Sequence, residues 1–143
     1  MFIKQLSIFV ENKPGRLAEI TSVLEKNNID IRALSIADTK DFGILRLIVN
    51  NPDVAESALK QAGYTVSLTQ VIAIGISDKP GGLAKAMSVL YSNHISEEYM
   101  YAFLSKSDDT AFVILRVENN EKAIEVLQNS GLQILESSSI YSM

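Results

Sequence analysis

Asn12-Lys13-Pro14-Gly15-Arg16-Leu17-Ala18 recurs as Asp78-Lys79-Pro80-Gly81-Gly82-Leu83-Ala84, and this pair of segments decides how the rest of the chain is read. Pro80 follows Pro14 by 66 positions, and the same offset aligns Ser22-Val23-Leu24 with Ser88-Val89-Leu90 and Ile29 with Ile95. After a small insertion the offset becomes 68, and Leu47, Val49, Asn51, Ala55, Leu59 and Gly63 meet Leu115, Val117, Asn119, Ala123, Leu127 and Gly131. Matches kept in order across a whole unit mark an internal duplication. The 143 residues therefore divide into two modules, 1–70 and 71–143.

Each copy has the same rhythm. Leu6, Ile8 and Val10 alternate with Gln5, Ser7 and Phe9, the two-residue period of a strand. Pro14 is expected to open a helix, since proline at the first helical position gives up no intrahelical bond, and Leu17, Ile20, Val23 and Leu24 continue at helical spacing. Asn27-Asn28 ends it, a second strand covers 30–37, and Asp38 to Phe42 is polar and turn-like. Ile44 to Val49 is aliphatic enough for a third strand. Asn51-Pro52-Asp53 starts a second helix with Val54, Ala55, Ala58, Leu59 and Ala62 on one face, Gly63 stops it, and Tyr64 to Leu68 is a fourth strand. The second copy predicts strand 71–77, helix 80–92, strands 97–104 and 111–118, helix 120–130 and strand 132–139. Asn50-Asn51 and Asn119-Asn120 are expected to cap the second helices.

The order βαββαβ, given twice, predicts an α+β fold: a duplicated ferredoxin-like module with antiparallel sheets and helices on one face. Thr65 to Ile72 contains neither proline nor glycine, so the modules are expected to keep a fixed relation. With Leu6, Ile8, Val10, Leu45, Leu47 and Val49 toward the helices, Phe9, Ile44 and Ile48 face the other way. Tyr99, Tyr101 and Phe103 alternate with Met100, Ala102 and Leu104, so both sides are apolar there too. Such a sheet face is expected to be covered, by the sister module or by a second subunit in a homodimer.

Composition narrows the chemistry. Hydrophobic residues make up 47% and charged residues 21%, as in ordinary globular proteins. No apolar run approaches the length of a membrane span, and the first residues do not read as a signal peptide, so a cytoplasmic protein without a membrane partner is expected. There is no cysteine, which excludes disulfides, thiolate metal sites and cysteine nucleophiles. His94 is the only histidine, so a multi-histidine zinc centre is impossible, and no cofactor or metal is expected. His94 itself reads best as a helix-end or surface residue. Residues 1–70 carry eight basic and eight acidic side chains and residues 71–143 carry five and nine, so neither half has a basic surface for nucleic acid. The aromatic strand at Tyr99, Tyr101 and Phe103 keeps a small RNA-binding protein as one alternative, and a small enzyme with an unrecognised site is another. The pairs Glu97-Glu98 and Asp108-Asp109 are adjacent in sequence and do not make an acid–base dyad.

The candidate site is the repeated loop. A glycine in the first turn of a helix lets a carboxylate approach amides that have no intrahelical partner. Asn12 and Asp78 precede that turn and could cap it or touch a ligand, whereas the plainer reading is two helix starts.

Asn12-Lys13-Pro14-Gly15-Arg16-Leu17 and Asp78-Lys79-Pro80-Gly81-Gly82-Leu83 resemble the Asp/Asn-x-Pro-Gly-x-Leu signature of ACT domains, small regulatory modules that bind amino acids. The resemblance covers nearly the whole chain as two tandem modules and no catalytic domain. It implies a stand-alone regulatory or sensing protein, not an enzyme, with a free amino acid held where two modules meet and an enzyme regulated in trans. It implies ligand roles for Asn12, Lys13, Pro14, Gly15, Arg16 and Leu17, and for Asp78, Lys79, Pro80, Gly81, Gly82 and Leu83. Where the family often has an asparagine after the first helix, this chain has Asp30 and Ser96. An aspartate there would engage an α-ammonium or a basic side chain, and serine is a weaker neutral partner.

Overall fold

The computed structural model describes residues 2–38, 41–105 and 107–143. The chain forms β1 (Ile3–Glu11), α1 (Arg16–Lys26), β2 (Ile31–Asp38), β3 (Phe42–Val49), α2 (Pro52–Gln61), β4 (Thr65–Ser77), α3 (Gly82–Ser92), β5 (Glu97–Ala102), β6 (Thr110–Val117), α4 (Asn120–Asn129), β7 (Gln133–Ile134) and α5 (Ser137–Tyr141). Among the described residues it is an α+β fold of seven antiparallel strands and five helices. Two compact units emerge: Lys4–Thr69 with Tyr141–Met143, and Gln70–Ile140 with the start of the chain through Ile3.

In the first unit the strand order is β2-β3-β1-β4, the order of a split βαβ module. Leu6 lies opposite Leu47 and Ile8 opposite Leu45, so the inward residues of β1 and β3 stack in register. Leu6, Ile8, Val10, Leu45, Leu47 and Val49 pack with Ile20 and Leu24 of α1 and Ala55 and Leu59 of α2 into one core. The helix spacing read in the sequence is thus the core stripe, except that Leu17, Val54 and Ala62 are exposed. On the opposite face Phe9 and Ile44 are exposed, whereas Ile48 is fully buried. Part of that face is therefore covered and part is open. Thr39 and Lys40, within the expected turn at 38–42, lie outside the described residues.

The second unit repeats the order as β7-β4-β6-β5. Its core joins Ile72, Ile74, Val113 and Leu115 of the strands to Ala86 and Leu90 of α3 and Ala123 and Leu127 of α4.

Four expectations are corrected. The strands expected at 64–68 and 71–77 are one strand, Thr65–Ser77, because the segment between them has no residue that breaks an extended backbone. The strand expected over 132–139 shrinks to Gln133–Ile134. Leu135 donates its N–H to the Ala73 carbonyl, and the serine run then turns into α5, with Ser139 and Ile140 N–H both on the Glu136 carbonyl. Serine side chains compete for backbone bonds and suit a turn better than a ladder. Helices α1 and α3 begin at Arg16 and Gly82 rather than at the prolines, because Gly15 and Gly81 have φ of +87° and +92°, outside the right-handed helix. Of the asparagine pairs, only Asn51 and Asn119 are N-caps, accepting from the N–H of Val54 and Lys122. Asn50 accepts from the Asp30 N–H at 2.9 Å, and Asn120 donates to the Gln70 carbonyl at 3.2 Å.

Candidate functional site

The two loops are built alike. The backbone N–H of Asn12 bonds the Asp41 carbonyl, and that of Asp78 bonds the Asp109 carbonyl, both at 2.9 Å. Each loop is thereby tied to the hairpin beside it. A glycine then takes the N-cap position itself, so Asn12 and Asp78 do not stand at the cap. The left-handed glycine leads into the helix, whose first N–H groups, those of Arg16 and Gly82, bond back to the Lys13 and Lys79 carbonyls.

At the first loop this produces a cleft of about 240 Å³ on the helix side of the sheet, between α1 and the edge strand β2. Its walls are Val10, Leu17, Ile36 and Leu45, and Asn12, Lys13, Arg16 and Glu11 stand around it. Leu17 and Ile36 are 44% and 47% exposed, so the cleft has an apolar open side. Pro14 and Gly15 form the turn between Lys13 and Arg16.

The rim is charged in both signs. Lys13 Nζ lies 2.8 Å from Glu11, and Arg16 reaches Glu11 at 3.9 Å and Glu19 at 3.6 Å. The hydrogen bond and charge of Lys13, with a smaller contribution from Arg16, hold the Glu11 carboxyl below its ordinary range. Glu11 is therefore ionised at neutral pH. Exposed pairs of this kind are weak, and both Arg16 contacts exceed the roughly 2.7–2.9 Å of a strong charge-assisted bond, so the guanidinium has room for a better partner. Behind it, Glu11, Arg16, Glu19 and Tyr64 line a recess of about 170 Å³. The buried Tyr64 hydroxyl makes no hydrogen bond there, although Glu19 and Arg16 are close enough to affect its proton. Burial first, and then Glu19, raises its pKa above the ordinary tyrosine range.

Asp30 is not part of this cleft. It lies beyond the far end of α1, which rises about 16 Å over its 11 residues, where it pairs with Arg32 and its backbone bonds Asn50. In the second unit, Lys79, Pro80, Gly81 and Gly82 line a different hollow of about 530 Å³ with Lys85 and Gln133, and Leu83 is 38% exposed. Ser96 lies apart from these, in a polar groove of about 730 Å³ with His94, Arg116 and Asn120. His94 takes a left-handed φ of +58° just past α3, the place held by Asn28 after α1, which agrees with a helix-end role. Sequence reading missed Glu11, although it directly precedes the motif. It also missed Ile36, whose contribution depends on strand register that no local pattern reveals. Among the described residues there is no cluster of potential metal ligands, and no helix is long and apolar enough to cross a membrane.

Two βαββαβ units, each with a left-handed Pro-Gly turn before its first helix, define a duplicated ferredoxin-like class. The chain belongs to the ACT domain pair family, which matches residues 1–143. Among solved structures it is similar to protein BT0572 from Bacteroides thetaiotaomicron, with 45% identity, 100% of this chain and 98% of that chain covered, and a TM-score of 0.93. It shares the fold of the ligand-free regulatory subunit of aspartate kinase from Thermus thermophilus, at 18% identity, 90% and 93% coverage and a TM-score of 0.64. The corresponding subunit from Thermus flavus aligns at 16% identity, 90% and 94% coverage and a TM-score of 0.59. A search of curated proteins finds no match.

Proposed function

We propose that this ACT pair is a sensor that binds a free amino acid at its Pro-Gly loop and passes the bound state to an enzyme in trans. Its working units are a module over 1–70 and a module over 71–143, carried as a cytoplasmic homodimer. The observation that carries the reading is the first-loop cleft, where ionised Glu11 stands beside Lys13 and Arg16 over apolar walls. An α-amino acid presents an ammonium and a carboxylate a few ångströms apart, and such a rim meets both with charge-assisted bonds. The amides of Leu17 and Ala18, in the first turn of α1, add donors for the carboxylate. The exposed Phe9, whose ring lies 4.9 Å from that of Phe42 at a tilt of 31°, and the exposed Ile44 on the same face favour a second copy of the chain as cover for that open surface.

A thermal-shift screen of the twenty amino acids tests the reading. A ligand at about 100 times its dissociation constant adds roughly 2.7 kcal/mol, which for a chain of this size raises melting by about 5–10 °C. Silence toward all twenty at millimolar concentration refutes ligand binding. Sedimentation at micromolar concentration that yields only the 15.7 kDa monomer refutes the dimer.

A further inference from the structure

We infer that the first cleft is the sole amino-acid site of the chain and that it selects an aliphatic side chain. This rests on the reading above that an amino acid binds at the loop, and adds which loop and which class. A cleft of about 240 Å³ lies below the roughly 300–1,000 Å³ of drug-sized pockets, so it suits a molecule no larger than a free amino acid. At the rim Glu11 stands beside Lys13 and Arg16, one carboxylate for an ammonium and two cations for a carboxylate, the two charges of a zwitterion. Below that rim the walls are Val10, Leu17, Ile36 and Leu45. A charged side chain directed among them would lose water against apolar walls, since the ionic groups lining the cleft, Glu11, Lys13 and Arg16, stand at its rim. An aliphatic side chain would instead bury apolar surface and cover the exposed faces of Leu17 and Ile36.

Register shows why the second unit lacks this site. Ile36 lies opposite Leu45, and Ala102 lies opposite Val113. Leu45 and Val113 are repeat counterparts at the offset of 68, so Ala102 replaces the Ile36 wall. At the offset of 66, Ser77 replaces Glu11 and Gly82 replaces Arg16. Lys79 keeps the place of Lys13, but the Glu11 carboxylate, the Arg16 guanidinium and the Ile36 wall are lost. Gly82 is also buried, and a Cβ there would lie 1.9 Å from the Ser77 carbonyl oxygen, so no side chain fits where Arg16 stands in the first unit. The second Pro-Gly loop is a helix start.

Calorimetric titration of the full chain with L-leucine, L-isoleucine, L-valine, L-aspartate and L-lysine decides the matter. One site per chain is expected, with at least one aliphatic amino acid bound about tenfold or more tighter than aspartate and lysine. Arg16→Gln and Glu11→Gln should each weaken that ligand by about tenfold to a hundredfold, and Ile36→Ala, which installs the second unit's residue, by several-fold. Lys79→Ala should change nothing. These side chains are exposed or half-exposed, and an unchanged circular-dichroism spectrum verifies the fold of each variant. Preference for aspartate or lysine, two sites per chain, or full affinity in Arg16→Gln overturns the inference while leaving amino-acid binding intact. No heat with any amino acid in either screen overturns the underlying reading, and this inference with it.

Discussion

Gly82→Ala adds one methyl group, and its effect follows from distances. A Cβ built on Gly82 stands 1.9 Å from the carbonyl oxygen of Ser77, 2.9 Å from its carbonyl carbon and 3.3 Å from its nitrogen. Favourable carbon contacts lie at about 3.5–4.0 Å, so the overlap exceeds an ångström. The obstacle is backbone and cannot rotate aside, because Ser77 is paired with Thr110 in the β4–β6 ladder. The start of α3 must lift, which strains the 3.0 Å bond from the Gly82 N–H to the Lys79 carbonyl. Glycine to alanine in a helix otherwise gains about 0.8–1 kcal/mol. Overpacking costs about 1–3 kcal/mol, occasionally more, and a lost backbone bond about 1 kcal/mol. The expected net is destabilisation by about 1–3 kcal/mol, read as a fall in Tm of about 5–15 °C for a cooperative unit of this size. Urea denaturation by circular dichroism, with calorimetry for Tm, measures it. Two controls separate the clash from other glycine effects. Gly15→Ala meets nothing within 4 Å and costs only the left-handed conformation, about 1–2 kcal/mol. Arg16→Gly, the reverse exchange in the first unit, costs under about 1 kcal/mol. A Gly82→Ala protein within about 0.5 kcal/mol of the parent refutes the close-approach reasoning and reopens the second loop to a ligand.

Two further outcomes bear on the charged rim. Glu11 has a folded pKa below its ordinary 4.5, so its stabilising contribution is fully present above that pH and is lost as pH falls through the lower folded value. Lys13→Ala removes the main cause, and an NMR titration of the Glu11 carboxyl should move back up toward the ordinary range; an unmoved midpoint contradicts the assigned pair. Tyr64→Phe deletes a buried hydroxyl that has no hydrogen-bond partner, so stability should stay within about 0.5 kcal/mol of the parent or rise, and a loss above about 1 kcal/mol by urea denaturation would reveal a bond to Glu19 or Arg16.

The duplication determined most of the fold. Two copies of one alternating and helical rhythm require the same βαββαβ unit twice, and the inward set from Leu6 to Val49 is the observed core, because period-two strands and a 3.6-period helix each present one apolar face. The repeated Pro-Gly segment likewise identified both loops, since a left-handed turn before a helix asks for glycine. Local pattern failed where neighbours decide. Leu135 spends its N–H on Ala73, and the serines after it turn into α5, a contact remote in sequence. Ile48 and Ile44 have the same parity on β3, yet one is buried and the other exposed. The candidate site divides the same way. The motif shows that two loops exist, but their inequality comes from β2–β3 register, which brings Ile36 to Leu45, and from the approach of α3 to Ser77, which leaves room for hydrogen alone at position 82. A repeat encodes backbone path, because path follows from local propensity and periodicity. The shape and charge of a cleft arise from side chains distant in sequence, and only packing brings those together.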